Sequence, residues 1–124
     1  MSLNEIYVLG GTLSINDSVV KQLEKASNVK VARIAGRSRY DANVNAIGKN
    51  FTKANHVVIA RGEVSSDALY GVSYANTVDS PVVLTNTNHL EKSSIELLNK
   101  LGVKKAAIIG GTFTVTANVE KQLS

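Results

Sequence analysis

The sequence predicts an α/β protein built around a mostly parallel sheet of five strands. Five short apolar runs carry this prediction, at residues 6–9, 30–34, 56–60, 81–85 and 106–109. Four of them are nearly continuous in valine, isoleucine, leucine and alanine, as in strands that are buried on both faces. Segments with helical spacing lie between the runs. Right-handed crossovers between parallel strands then give a three-layer sandwich of the Rossmann-like or flavodoxin-like kind.

Each helical segment carries an apolar stripe that is expected to face the sheet. Asn16 or Asp17 can cap the first helix and Ser65 or Ser66 the third, while Gly102 suits a left-handed residue after the fourth. The stripes are Ile15, Val19, Val20 and Leu23; Val44, Ile47, Gly48 and Phe51; Ala68, Leu69, Val72, Ala75 and Val78; Ile95, Leu98 and Leu101; Val115, Val119 and Leu123.

The chain also repeats itself. Residues 10–15, Gly-Gly-Thr-Leu-Ser-Ile, return as residues 110–115, Gly-Gly-Thr-Phe-Thr-Val, and the match keeps its register through the next helix. We therefore expect residues 1–32 to be the end of a preceding repeat that packs as the first β–α unit. Residues 33–124 would form one complete repeat, within a single structural domain.

Bulk composition excludes several classes of protein. The chain has 124 residues, which suits one domain, and contains no cysteine, so it forms neither disulfides nor thiolate metal sites. Its net charge of +4 mildly favours an acidic partner, although a solvated lysine-rich surface has the same charge. Aromatic residues make up 5%, too few for a nucleic-acid stacking surface. No apolar run suits a membrane span or a signal peptide, so a signal peptide is expected outside this sequence.

Polar residues follow the predicted strands, at the edge where open parallel sheets bind ligands. Arginine there can pair with carboxylates or phosphates through its planar fork of donors. The alternative is that Arg37 or Arg39 pairs internally with Asp41, Glu63 or Asp67 and holds two loops together. The candidate binding residues are Gly10, Gly11, Thr12, Arg37, Arg39, Arg61, Gly110, Gly111 and Thr112.

No catalytic constellation accompanies these residues. Neither Gly-Gly-Thr copy matches a dinucleotide-binding or Walker A pattern, and a tight strand–helix turn explains both copies equally well. His56 and His89 have no metal-ligand spacing, and no serine lies in a nucleophile elbow. The sequence therefore predicts no enzyme activity, no metal and no cofactor.

Residues 33–42, Arg-Ile-Ala-Gly-Arg-Ser-Arg-Tyr-Asp-Ala, resemble the opening signature of the type 2 cell-wall-binding repeat of clostridial and related Gram-positive surface proteins. Further motifs match in order at residues 57–60 with 66–69, 80–85, 101–103 and 108–112. The resemblance covers essentially the whole chain. It departs at Ser38, where the family usually has an acidic residue, and at Ala42-Asn43, where a threonine is usual.

The resemblance implies a non-catalytic, extracellular module that anchors a surface protein non-covalently to an anionic cell-wall glycopolymer. It implies three tandem sister repeats packed as a pseudo-trimer, with any amidase or protease domain elsewhere in the parent chain. Nucleic acid and membrane are not expected partners. Val82, Val83 and Leu84 match a motif tied to anchoring, or else form a core strand, and Tyr40, Asp41 and Asp67 are assigned structural roles.

Two alternatives remain open at this stage. One is a small Rossmann-like nucleotide-binding or enzymatic domain, which the missing fingerprints disfavour. The other is a structural repeat that serves self-association while other repeats hold the polymer. A repeat separated from its array exposes the surface that meets its neighbours, so the isolated chain is also expected to self-associate.

Overall fold

Strands and helices alternate along the whole chain. The computed structural model describes residues 3–124, and its five strands lie where the apolar runs predict them, to within one residue at each end. In chain order the elements are β1 (Ile6–Leu9), α1 (Asp17–Ser27), β2 (Val31–Ile34), α2 (Arg39–Asn50), β3 (His56–Arg61), α3 (Ser65–Val78), β4 (Val82–Thr85), α4 (Lys92–Leu101), β5 (Lys105–Ile108) and α5 (Ala117–Leu123).

All strand pairs are parallel, which confirms the predicted fold class. The five strands are hydrogen-bonded as two sheets: β1 pairs with β2, and β3 lies between β4 and β5. The register aligns Val58 with Val82 on one side of β3 and with Ala107 on the other. The carboxyl ends of β3, β4 and β5 therefore meet at one edge of their sheet.

The central strand β3 lies in the core, and its four middle residues, Val57–Ala60, are fully buried. Val57 and Ile59 pack in the main apolar cluster with residues of α2, α4 and α5. Val58 and Ala60 face the other side, where α3 lies against them. The three-stranded sheet is thus covered on both faces, which is why β3 contains no polar residue between His56 and Arg61.

Helix α3 packs on the sheet through its smallest residues. A Cβ added to Gly71 would lie 3.1 Å from the Cβ of Ala60, and Ala75 is 3% exposed. The predicted stripe is confirmed at Ala75 and wrong at Leu69 and Val72, which are 66% and 46% exposed. Because the helix lies close to the sheet, the face that packs is the one with the smallest side chains. Counting apolar residues in the sequence does not identify that face.

The first predicted stripe is also wrong as a buried face. Helix α1 contains no buried residue, and Val19 and Leu23 are exposed. The two-stranded sheet of β1 and β2 contributes Val8, Val31 and Ile34 as its buried residues. The first β–α unit therefore lies beside the main core and does not add to the main apolar cluster.

Most of the predicted helix ends are present. Asn16 caps α1 by accepting hydrogen bonds from the backbone N–H groups of Ser18 and Val19. Gly102 ends α4 in the left-handed conformation. The prediction for α3 is wrong, because that helix begins at Ser65 and its N-cap residue is Val64, which has no side chain able to accept a hydrogen bond.

The outer edge of β4 is occupied by a side chain. The amide nitrogen of Asn43 donates to the carbonyl of Val82 at 2.8 Å, and its amide oxygen accepts from the N–H of Leu84 at 2.9 Å. One asparagine of α2 thus makes the two hydrogen bonds that a neighbouring strand would make. This contact holds the beginning of α2 against the end of β4.

Candidate functional site

A cleft with a volume of about 720 Å³ opens between the first Gly-Gly-Thr loop and the loop that precedes α2. We call it the arginine cleft, because Arg37 and Arg39 are the charged residues among those that line it. Its floor is formed by small residues of α2 and by Leu84 of β4. The residues that line it are Leu9, Gly10, Gly11, Thr12, Leu13, Ser14, Gly36, Arg37, Ser38, Arg39, Ala42, Asn43, Ala46 and Leu84.

The two arginines of the cleft differ in what they bind. Arg37 is exposed and makes no hydrogen bond or ion pair with the described part of the chain. Arg39 is also exposed, but its Nη1 donates to the carbonyl of Gly62 at 2.6 Å and so holds the loop after β3. Arg37 therefore has all its donors available to a ligand, whereas Arg39 has some of them engaged.

Arg61, the third predicted arginine, has an internal partner. Its Nε lies 2.9 Å from Oδ2 of Asp67, and both side chains are about three-quarters buried. This pair ties the end of β3 to the first turn of α3. By sequence Asp67 is a candidate partner of Arg37 or Arg39, and it is Arg61 that pairs with it. Arg61 does not line the arginine cleft, although it is adjacent in sequence to the carbonyl that Arg39 binds.

Gly10 gives the first Gly-Gly-Thr loop its sharp turn. Its φ is +128°, a conformation that favours glycine, and the carbonyl of Gly11 accepts hydrogen bonds from the N–H groups of Ser14 and Ile15. Thr12 at its tip is exposed. The loop thus presents backbone and hydroxyl groups to the arginine cleft.

The second Gly-Gly-Thr loop lies elsewhere. Residues 110–112 do not line the arginine cleft, and the segment that follows them is held by a hydrogen bond from the N–H of Thr116 to the carbonyl of Thr87. The structure thus brings one copy of the motif to the arginines and places the other at the end of β5.

The remaining predicted residues connect the cleft to the core. Val83 is fully buried, while Leu84 reaches the cleft floor. Asp41 accepts a hydrogen bond from the Ser93 hydroxyl at 2.9 Å, which joins α2 to α4. Burial raises the pKa of the Tyr40 hydroxyl above its usual value; the charges of Glu63 and Glu91 add to this and that of Arg39 opposes it.

Two residues that support the site were not singled out from the sequence. Arg33 donates from Nη1 to the carbonyl of Gly10 at 2.7 Å and pairs through Nη2 with Asp17 at 3.3 Å, so it anchors the first Gly-Gly-Thr loop. Asn43 both lines the cleft and fixes α2 to β4. Both contacts span long sequence separations, so neither could be predicted from the residues around Arg33 and Asn43.

The charged side chains that line the arginine cleft, those of Arg37 and Arg39, are both cationic. Within residues 3–124 no three histidine, cysteine, aspartate or glutamate side chains are grouped so as to hold a metal ion. None of the described helices has both the length and the apolar character to cross a membrane.

Residues 33–120 match the family described as cell wall binding domain 2 (CWB2). The chain belongs to the CWB2 family. It is therefore a cell-wall-binding module. Residues 33–42, which resemble the opening signature, form the end of β2, the loop that contains Arg37, and the first turn of α2.

Curated relatives of this CWB2 chain come from Bacillus subtilis (strain 168). It is 28% identical over 120 residues to an amidase enhancer, covering 97% of the chain and 17% of that protein. It is 24% identical over 123 residues to the N-acetylmuramoyl-L-alanine amidase LytC, covering 99% and 24%. The chain thus spans less than a quarter of the length of either relative.

Solved structures confirm the fold. Cwp6 from Clostridium difficile superposes with a TM-score of 0.87 and 25% identity, over 97% of this chain and 19% of that one. Cwp8 from the same organism superposes with a TM-score of 0.78 and 22% identity, over 96% and 19%. The likeness includes the first β–α unit, which precedes the family match.

Proposed function

We propose that this CWB2 chain binds an anionic wall glycopolymer in the arginine cleft and so anchors a surface protein to the wall without a covalent bond. The observation that carries the proposal is the charge of the cleft: Arg37 and Arg39 line it, and none of the acidic residues that the structure describes does. A repeating acidic polymer could run along the cleft and meet both guanidinium groups in turn.

Backbone groups add to the positive character of the cleft. Helix α2 begins at Arg39, so its N-terminal N–H groups and dipole are directed towards the cleft. Ser38 caps one of these N–H groups, that of Asp41. The first-turn carboxylate of Asp41 is engaged by Ser93 on the core side. The N-terminus of α2 therefore adds to the positive potential that the two arginines create in the cleft.

A single cleft of this kind binds weakly. Exposed charge pairs contribute about 0.2–1 kcal/mol each, so Arg37 and Arg39 together provide a modest affinity. Linking several modules in one chain raises the overall affinity by roughly 10²- to 10⁴-fold without new contacts. Tandem repetition would thus give firm anchoring from weak sites, and we infer sister repeats in the parent protein on this basis.

We infer further that this chain is not itself catalytic. Its matched family is a binding domain. An amidase or protease domain in a parent protein would lie outside residues 33–120, as the small fraction of LytC covered by the chain suggests. Membership of a cell-wall-binding family also supports an extracellular location for the module.

The test is retention on purified cell walls after Arg37→Glu substitution. We expect a several-fold loss of bound protein, because a carboxylate would then repel the acidic polymer where a donor attracted it. Binding of the unsubstituted chain should weaken as salt rises and should disappear on walls from which acid treatment has removed the anionic polymer.

Lys53→Glu is the matched control. Lys53 is exposed, lies outside the arginine cleft, and its substitution changes the net charge by the same amount. If both variants lost equal amounts of binding, net charge and not the cleft would govern retention. Unchanged retention of a folded Arg37→Glu protein would overturn the proposal.

A second role, packing against sister repeats, is favoured by the outer face of α3. Leu69 and Val72 are exposed there at 66% and 46%. We propose that this face contacts other repeats. Sedimentation of the isolated chain should show concentration-dependent self-association that Leu69→Glu removes; a monomeric unsubstituted chain at millimolar concentration would contradict this.

A further inference from the structure

The repeated motif folds into two β–α units of the same local structure. Gly10 and Gly110 both have positive φ, at +128° and +113°. In both units the carbonyl of the second glycine accepts hydrogen bonds from the N–H groups three and four residues later. The unit formed by β1 and α1 and the unit formed by β5 and α5 are thus two copies of one element, and their surroundings can be compared directly.

The two copies use opposite edges of the same strand. In β1, the N–H of Gly10 donates to Ile34 of β2 at 2.8 Å. In β5, the N–H groups of Lys105 and Ile109 donate to Asn55 and Ile59 on the β3 side, both at 2.9 Å. Successive N–H groups of a strand point to opposite sides. Gly110 is the counterpart of Gly10, so its N–H points away from β3. The edge through which β1 pairs with β2 is therefore the edge of β5 that has no partner strand within residues 3–124.

The helices of the two copies likewise use different faces. In α5, Asn118 and Gln122 bind the backbone of Asn88 and Leu90, and Val119 is 0% exposed in the core. The counterpart of Val119 in α1 is Val19, which is 40% exposed.

Helix α1 instead binds β2. Asp17 pairs with Arg33, and a carboxylate oxygen of Glu24 accepts from the N–H of Val31. At about 100° per residue, positions 17 and 24 lie roughly opposite positions 18, 19 and 22. One helix can therefore make both sets of contacts at the same time.

We propose that where two repeats follow each other, one β–α unit serves both. Its strand would pair with β3 of its own repeat on one edge and with β2 of the next repeat on the other. The result is one continuous parallel sheet across the junction, in the order β4, β3, β5, then β2 of the next repeat. The exposed Val19 face of α1 is the face that the core of a preceding repeat covers, as the core here covers Val119. This inference is independent of what the arginine cleft binds.

A tandem with a shared unit tests the proposal. Residues 1–116 are joined directly to residues 17–124 of a second copy, so that β5 leads into the α1 sequence, which keeps both helix faces. The control joins two whole chains, residues 1–124 each, through a flexible linker. Amide exchange is measured by NMR with the first copy alone isotope-labelled, on Ile108 and Gly110, whose N–H groups point away from β3.

In the shared tandem these two amides should exchange on the order of 100-fold or more slowly than in the single chain, and in the linked control they should not. The urea m-value of the shared tandem should also be roughly twice that of the control, because one cooperative unit exposes the surface of two repeats. Unchanged exchange in a folded shared tandem would overturn the proposal. So would a shared tandem that fails to fold while the linked control folds.

Discussion

Val19 and Val119 occupy the same position in the two copies of the repeated unit, yet they should tolerate substitution very differently. Val119 is 0% exposed and belongs to the main apolar cluster, whereas Val19 is 40% exposed on a helix without buried residues. Val119→Ala removes two buried methyl groups at about 0.8 kcal/mol each. The cavity that remains adds to this, for a total cost of about 2–3 kcal/mol in the free energy of unfolding.

Val19→Ala serves as the internal control, with an expected change within about 0.5 kcal/mol, because alanine's helix propensity offsets the small loss of burial. Urea unfolding followed by circular dichroism measures both. With an m-value of about 2 kcal/mol/M, Val119→Ala should lower the midpoint by about 1 M or more. Equal midpoints for the two variants would refute the reasoning that context, not sequence, sets the burial of each copy.

Asn43→Ala should lower the free energy of unfolding by about 2 kcal/mol, because two backbone groups at the edge of β4 lose their hydrogen-bond partner. The control is Asn50→Ala, at an exposed position of the same helix. Similar urea midpoints for the two variants would contradict the role given to Asn43. Gly110→Ala should lower the free energy of unfolding by about 1–3 kcal/mol, because the new Cβ would lie 2.8 Å from Cγ2 of Thr114 at a φ of +113°. Gly111→Ala is the control, since a Cβ there meets no described atom within 4 Å. Equal thermal stability of the two variants would show that this turn is not constrained. Because burial raises the pKa of Tyr40 in the folded state, its neutral form is favoured there, so this contribution to stability is complete below the usual tyrosine pKa and is lost as pH rises through the folded-state value. Urea midpoints of the unsubstituted chain and Tyr40→Phe should therefore diverge only at alkaline pH, and a constant difference across the range would exclude this titration.

The order and position of the strands could be predicted from the sequence because buried parallel strands leave long apolar runs. The run that became β3 is the clearest case, since both its faces are covered and Val57–Ala60 contains no polar residue. The division into two sheets could not be predicted in this way. On the outer side of β4, the side chain of Asn43, a polar residue of α2, makes the hydrogen bonds that a further strand would make.

The helix faces were harder to predict than the helices. A stripe such as Leu69 and Val72 identifies a helix, but the buried face of α3 is selected by close packing of Gly71 on Ala60. For α1 the sequence predicted a stripe whose cover is missing among the described residues. The spacing of apolar residues shows which face of a helix could be buried. Whether that face is buried depends on the elements that pack against it.

The arginine cleft was predicted in part. Glycine and arginine at strand ends predicted a binding edge, and Arg37 and Arg39 line the same cleft as the first Gly-Gly-Thr loop. Sequence could not separate Arg37, which has no partner in the described chain, from Arg61, which is paired with Asp67. That distinction depends on how α3 is placed against β3, a tertiary property.

The hydrogen bonds of Asn43 to β4 also make the two edges of the three-stranded sheet different. An open strand edge is a template for uncontrolled stacking of chains, and the side-chain amide of Asn43 removes that template on one side. Any lengthening of the sheet is thereby restricted to the side of β5. Because β5 is then the open edge of this three-stranded sheet among the described strands, edge-to-edge pairing of chains through it stops at two copies.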